Sequence, residues 1–502
     1  MPLKRLIVII LLQGCLLTSL RAVDIRIVDQ ASFDRLDTEL KAALAASPSQ
    51  VDVYFSPGCY YYQDKHLYLK NIQAESTKVV LHGEGAKLFP AMGKAPAFDP
   101  RASYYKVSAS GPSLIRRDDP IRMARFFVKV LDRDRKICKI KVDRELPPEA
   151  ARDGYIYLTE WFRGKTYKIL KVEGKQVYFK ADDLYQIRFL YNVNLDFTFS
   201  LQFPRYRLIH CGLSEPEDQA LQAQATTFLL LEHTRLGGLD CTGLSFIGNR
   251  YDERKPAFGL ITCDAVTVPG TFSRCRFEGI RSDIFAVTGT VGMGVEDCAF
   301  YANFRHCLKT EQDCDGIRFC RNTVRESGLC GDNVYVVYCN GKNFLIQDNH
   351  ISDYGYGGIY TGLYYATVKL DRVSGLVSRN EIYQTPAYFK SAPDALLMDS
   401  GAIYIATQND DVRIEDNYIH DINGPTYNRG IFADDGTSHI AVRRNRIENV
   451  PNYFALDIDT RSAWKMLRKP ERQVDYANVD VVVEDNDVKG KVRLPKANNE
   501  SW

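Results

Sequence analysis

One motif returns six times along the second half of the chain: an alternating apolar strand, an Asn, a variable residue and a further apolar residue. The copies read IRFCRNTV, FLIQDNHI, LVSRNEI, VRIEDNYI, IAVRRNRI and VVVEDNDV, with asparagines at Asn322, Asn349, Asn380, Asn417, Asn445 and Asn486. Two earlier copies, FSRCRF and VEDCAF, place Cys275 and Cys298 at the Asn position, and LDCTGLSF continues the series upstream with Leu244. Steps between copies run from 23 residues (275 to 298) to 41 residues (445 to 486), and the variation falls in the polar segments after the Asn. Such a repeat governs the whole architecture, because each unit is one coil that cannot bury its apolar face alone. An Asn tolerates an αL-like bend and bonds to backbone, so stacked coils predict a column of asparagines in which each amide pairs with the next. Small Cys side chains serve the same column as reduced, buried filler.

Each repeat carries a second short strand upstream of the Asn strand: DIFAVT, CLKTEQ, NVYVVY, GIYTGL, AIYIAT, GIFADD and ALDIDT. Short strands of constant length at a solenoid period predict an all-β parallel β-helix. A Rossmann-type sheet is excluded because helical crossovers are missing. A β-propeller is the alternative, but its repeats are more even in length and paired antiparallel.

The segment from about 236 to 490 resembles the right-handed parallel β-helix of the pectin-lyase-like superfamily, including an Asn ladder at its second turn. The stretch VDVYFSPGCYYYQDKHLYLKNIQAESTKVVLHGEGAKLF also resembles the opening coils of that fold. The resemblance implies an architecture and leaves activity open, since lyases, hydrolases, epimerases and phage tailspikes share it.

The N-terminus shows Lys4 and Arg5 ahead of an apolar run from Leu6 to about Leu17, then small or polar residues up to Ala22. That layout predicts a signal peptide cleaved after Ala22, with a lipoprotein-type cleavage before Cys15 as the alternative. Export to the periplasm, cell surface or medium follows, with no transmembrane segment. Cys15 leaves with the signal, so twelve of 13 cysteines remain. Cys307, Cys314, Cys320, Cys330 and Cys339 fall in neighbouring coils, with partners that sequence does not assign. No spacing suggests a metal site. With 65 Lys+Arg against 63 Asp+Glu and no run of like charge, nothing suggests a nucleic-acid surface. A monomer is expected. The resulting division is 1–22 signal peptide, 23–100 opening coils, 101–211 an inserted β-rich module, and 212–502 the β-helix with the active face. In the insert, Glu173-Gly174-Lys175 reads as a hairpin turn; Trp161, Tyr155 and Tyr157 form either its core or a sugar-stacking face.

Side chains alternate across a strand, so aligning the upstream strands sorts them by direction. Ile284, Leu308, Val334, Ile359, Ile403, Ile431 and Leu456 form one inward column. Ala286, Thr310, Val336, Thr361, Ile405, Ala433 and Ile458 form the second. The outward columns are then Phe285, Lys309, Tyr335, Tyr360, Tyr404, Phe432, Asp457 and Val287, Glu311, Val337, Gly362, Ala406, Asp434, Asp459. The aromatics Tyr335, Tyr360, Tyr404 and Phe432 either stack on sugar rings or pack beneath the long loops near 384–398 and 460–478. Asp434 and Asp459 share a column at a backbone spacing of about 5 Å, Asp457 lies about 7 Å from Asp459 on one strand, and Asp435 starts the turn beside Asp434.

Crowded carboxylates at such spacings suit glycoside hydrolysis, in which one acid protonates the leaving oxygen while another attacks or activates water. Asp434, Asp435, Asp457 and Asp459 are therefore the expected catalytic residues. Tyr335, Tyr360, Tyr404, Phe432, Lys309, Glu311 and Arg429 are the expected contacts to a polysaccharide or oligosaccharide, with no cofactor required. The polygalacturonases of the superfamily resemble this chain in having three Asp on neighbouring coils, two of them adjacent. Their Gly-His-Gly and Arg-Ile-Lys signatures are absent here, which leaves a general glycosidase reading.

Two alternatives stay open. A lyase would use Lys309, His306 and Arg305 with Glu311 for β-elimination and turn the Asp cluster into a Ca²⁺ site. A non-catalytic glycan-binding solenoid would use Asp434, Asp435 and Asp459 only to solvate strand ends and turns. His420, Asp421, Asn428, Arg429 and Arg461 would edge an active site or belong to loop surface.

Overall fold

The computed structural model describes residues 22–90, the strands between 106 and 211, and 227–494 apart from 249–258, 281, 302, 304, 312, 329–333, 363–372, 386–399, 407–408, 423–427, 435–436, 452 and 459–479. The signal segment, Asp435, Asp459, Arg461, Trp161 and Cys330 lie outside the described residues.

Three long sheets run the length of the chain, and every ladder in them is parallel. Each coil gives one strand to each sheet. The back sheet runs from Val23–Ile27 to Val481–Glu484, the side sheet from Gly58–Tyr62 to Asp487–Lys489, and the front sheet from Leu67–Lys70 to Lys491–Arg493. The fold is a right-handed parallel β-helix, the sense that parallel crossovers take. The repeat shows two strands per coil; the third is the three-residue piece just after each Asn, such as Glu381–Tyr383, too short to display alternation.

The inner faces supply the core. Phe246, Phe277, Phe300 and Phe319 stack coil on coil with ring centroids 5.1, 4.9 and 5.5 Å apart, all buried. At the N-terminal end two short helices follow the first strand. The second, Leu36–Ala45, buries Leu36, Leu40 and Leu44 on one face. Between Pro90 and Leu229 the coils pause. Leu67–Lys70 nevertheless pairs directly with Leu229–Glu232, and Ala86–Pro90 with Ser245–Ile247, so the solenoid continues across the interruption. Six of the intervening strands form an antiparallel sheet, in which Glu173 faces Gln176 across the turn at Gly174, and Lys106–Ser108 pairs with Gly111–Ser113 in a separate two-stranded one.

At the back-to-side corner, Asn349 Oδ1 accepts from the Asn322 backbone N at 2.9 Å and from its Nδ2 at 3.1 Å. Asn349 Nδ2 donates to Phe319 O and to Asn380 Oδ1, both at 2.8 Å. The same pattern repeats through Asn417, Asn445 and Asn486. The left-handed residue is the one before each Asn, not the Asn: Arg321, Asp348, Arg379, Asp416, Arg444 and Asp485 have φ between 53° and 58°. Each Asn needs its amide for the neighbouring coils, so the bend passes to the preceding residue. With Arg274 and Asp297 those residues form an outer column of strictly alternating sign, tied by two-point ion pairs: Arg321 to Asp297, Arg379 to Asp348, and Arg444 to Asp416, at 2.8–3.0 Å. Leu244, Cys275 and Cys298 continue the inner column upstream, all buried, and the Cys275 sulfur lies 3.8 Å from that of Cys241, which stands earlier on its strand beside Phe272. The nine cysteines characterised among the described residues are all free.

Candidate active site on the front sheet

From Ile359 onward the structure keeps the expected register: Tyr360 beside Tyr404, Tyr404 beside Phe432, and Phe432 beside Asp457. Upstream it corrects it. Val337, not Val334 or Val336, lies beside Ile359, so Tyr338 rather than Tyr335 precedes Tyr360 in the outward column. Phe285 and Val287 are likewise buried and align with Leu308 and Thr310, the inward pair. The cause is local. In VYVVY the two adjacent valines break the alternation, and in DIFAVT four apolar residues stand together, so neither run fixes its own phase. The outward column is Ala286, Lys309, Tyr338, Tyr360, Tyr404, Phe432, Asp457 and Arg493.

The aromatics of this column are not an open platform. Tyr335, Tyr360, Tyr404 and Phe432 are each 2–3% exposed. Tyr338 stacks on Tyr360 at 4.5 Å and 2°, Tyr360 on Tyr404 at 5.3 Å, and Tyr404 meets Phe432 edge-on at 4.9 Å. Tyr335 packs across them, 4.9 Å from Tyr360 and 5.8 Å from Tyr404. They form a second apolar layer outside the sheet, and they act on the acids instead of facing solvent.

Asp434 ends the strand Asn428–Asp434, beside Ala406 of the preceding coil. Its side chain is nearly buried, and Oδ2 accepts a hydrogen bond from Tyr404 Oη at 2.6 Å. Thr437 Oγ1 donates to the Asp434 backbone oxygen at 2.5 Å. Burial, and after it the Asp434 charge, pushes the Tyr404 phenol far up, so Tyr404 is held as a donor. Its ring is clamped by Tyr335, Tyr360 and Phe432, which fixes the direction of that donor.

Asp457 has a different environment. It is fully buried, with Oδ2 accepting from Arg429 Nε at 2.6 Å and from an Arg493 terminal nitrogen at 2.6 Å, and Oδ1 accepting from Arg493 Nε at 2.5 Å. The Arg429 guanidinium lies 3.6 Å over the Phe432 ring and 4.6 Å from that of Tyr453. Gly430 lets the next coil lie close: a Cβ there would sit 2.4 Å from Ala455 O and 2.8 Å from Ile447 Cγ2. Asp457 and Arg429 thus form a buried ion cluster that ties three coils together next to Asp434.

Other expected residues fall elsewhere. Lys309 stands four coils before Phe432 in the column, roughly 19 Å away at ~4.8 Å per coil, and pairs with Glu311 at 2.5 Å. Arg305 pairs with Asp283 at 3.0 Å. His420 and Asp421 lie at the side sheet, where His420 Nδ1 contacts Asp421 at 2.7 Å and its ring stacks between Tyr383 and Tyr418. Asn428 is buried and accepts from Ser400 Oγ at 3.3 Å. Tyr404's part as donor and the place of Arg493 are not legible in the sequence, because two-residue alternation gives each side chain a direction but no partner.

No protein-family model matches this sequence, and no curated protein sequence matches it. Among solved structures, one described as "Glycoside hydrolase" superposes with a TM-score of 0.55 at 13% identity, covering 92% of this chain and 96% of that one. The likeness is one of fold. A tailspike of Pseudomonas phage phi297 aligns over 90% of this chain and 73% of its own at 8% identity, with a TM-score of 0.26.

Proposed function

We propose that the chain is an exported glycoside hydrolase acting on a polysaccharide or oligosaccharide, with Asp434, Asp435 and Asp459 as its working carboxyls. The observation that carries this reading is the Tyr404–Asp434 hydrogen bond: a carboxylate at the rim of the front sheet, gripped by a phenol kept protonated by its surroundings. The fold shared with a glycoside hydrolase supports it.

In this reading Asp434 is the ionised member of the pair. The ionised group attacks the anomeric carbon or draws a proton from water, while Asp435 or Asp459 protonates the leaving oxygen. Asp457 is assigned a positioning role, because both of its oxygens are held by guanidinium donors away from solvent. The hydrolysis needs no cofactor. The lyase reading is weaker for a stated reason: Lys309 and Arg305, the cations it would set against a uronate, each already hold a carboxylate.

The test is a screen of the mature protein on neutral and acidic polysaccharides, recording reducing ends and the ultraviolet absorbance of unsaturated products together. Reducing ends without absorbance, lost in Asp434→Asn, are expected. Absorbance rising with cleavage, or full activity in Asp434→Asn, would overturn the proposal.

A further inference from the structure

All three sheets stop at the same coil. The back strand Val481–Glu484, the side strand Asp487–Lys489 and the front strand Lys491–Arg493 each stand last in their sheet, so among the described residues each is paired along one edge only. The other edges form a rim of backbone N–H and C=O groups open to a further strand. Inside that rim the core is uncovered. Val492 and Leu494 are 45% and 48% exposed, and Val481, Val483 and Val488 are half-buried. Ile440, Val442, Ile447 and Leu456, which lie beside the four valines on the preceding coil, are at most 2% exposed. The N-terminal end differs: the helices Gln30–Asp34 and Leu36–Ala45 touch the first strand of all three sheets, and Leu36, Leu40 and Leu44 join the core there.

The charges around the rim indicate what fits it. The side strand reads Asp487-Val488-Lys489. Set antiparallel on its own copy about a two-fold axis through Val488, it brings Asp487 against the partner's Lys489, Lys489 against the partner's Asp487, and Val488 against itself. The same axis lays the front strand of each copy on the back strand of the other. Matching inward residues to inward ones puts Val492 on the partner's Val483 and Leu494 on the partner's Val481, and Lys491 then falls opposite the partner's Glu484. No like charges meet in this register. Lys489 already contacts Glu448 at 3.0 Å, but an ammonium has three donors and serves both carboxylates. A copy stacked head to tail would instead meet the two helices of the N-terminal end.

We infer that the last coil is a self-complementary docking surface for a second copy of this chain, joined end to end through three antiparallel strand pairs. The inference does not rest on the hydrolase reading. The three strands supply ten residues a side, fewer than the ~20–30 of a standard interface, so the dimer is weak and forms with rising concentration. Because the axis exchanges front and back strands, the two Asp434 faces open on opposite sides of the dimer.

Sedimentation velocity of the mature protein over about a hundredfold range of concentration tests this. Wild type should pass from monomer to dimer, and hydrogen exchange should show the strands from Val481 to Arg493 gaining protection only as the dimer forms. Asp487→Lys and Lys489→Asp each set like charges across the axis and should stay monomeric. Their equimolar mixture should dimerise again, since the two lysines of one copy then face the two aspartates of the other. Both side chains are exposed, so the substitutions leave the fold alone. A wild type that stays monomeric, a dimer that either variant forms unchanged, or a mixture that fails to dimerise would overturn the docking surface. So would a monomer whose last strands are protected at every concentration, which would mean that the chain's own residues cover this end.

Discussion

Replacing Asp457 by Asn separates two roles that a carboxylate in this position can play. If it exchanges protons with a substrate, the isosteric amide should leave the fold alone and remove activity. The structure predicts the opposite order of effects. Asp457 has no exposed side-chain surface and Arg429 has 5%, so the amide would take from a buried guanidinium the charge that Asp457 supplies. Breaking a buried pair by removing one partner costs roughly 3–5 kcal/mol. Arg493, at 24% exposure, can turn toward water and adds little to that loss. Stability in a solenoid is a sum of coils and their interfaces, so the damage should be confined to the last coils, from about Asn428 to Arg493. Urea unfolding followed by hydrogen exchange reads both quantities: a transition at lower denaturant, with lost protection in the strands Asn428–Asp434 and Phe454–Ile458. Asp457→Asn that unfolds at the wild-type midpoint and is nonetheless inactive would refute the positioning role.

Tyr404→Phe removes one hydroxyl and keeps the packed ring; losing a hydrogen bond to a charged acceptor, worth about 1.5–3 kcal/mol, should lower kcat/KM by roughly 10- to 100-fold with an almost unchanged melting temperature. Asn380→Ala should destabilise by about 3 kcal/mol or more in denaturant melts, because the Asn349 amide groups that end on its Oδ1 lose their acceptor. The sign for His306 follows from its folded value of about 4 against 6.5 in the unfolded chain. Its contribution is complete above pH 6.5 and is lost as pH falls toward 4, so going from pH 7 to 4.5 should cost about 2–3 kcal/mol. A folded His306→Gln should lack that part of the acid sensitivity when melts at the two pH values are compared.

The solenoid was legible because Asn322 to Asn486 and the strands before them recur with fixed local chemistry and variable loops. From Ile359 to Asp457 even the direction of each side chain follows from alternation, since each strand there places a lone aromatic or acid between apolar neighbours. Where apolar residues are contiguous, as at Val336-Val337, the phase is set by stacking on the next coil and cannot be found locally. The same holds for the site. That Asp434 and Asp457 point outward is a property of their strands. That one is gripped by Tyr404 and the other caged by Arg429 and Arg493 depends on partners 28 to 36 residues away, brought close by coil lengths that no pattern specifies.

The outer column that runs from Arg274 to Asp485 has a bearing on how such a chain finds its own threading. Identical backbone geometry at every corner means that a coil set down one place too early would still close its ladder and still bury its leucines and isoleucines. The error would be invisible to the hydrophobic effect. It would not be invisible to charge, because a shift by a single place sets Arg over Arg or Asp over Asp where the misplaced coil meets its neighbour. Each exposed pair is worth only about 0.2–1 kcal/mol, yet the sign pattern acts as a parity check that only even displacements pass, and those must skip two coils' worth of chain.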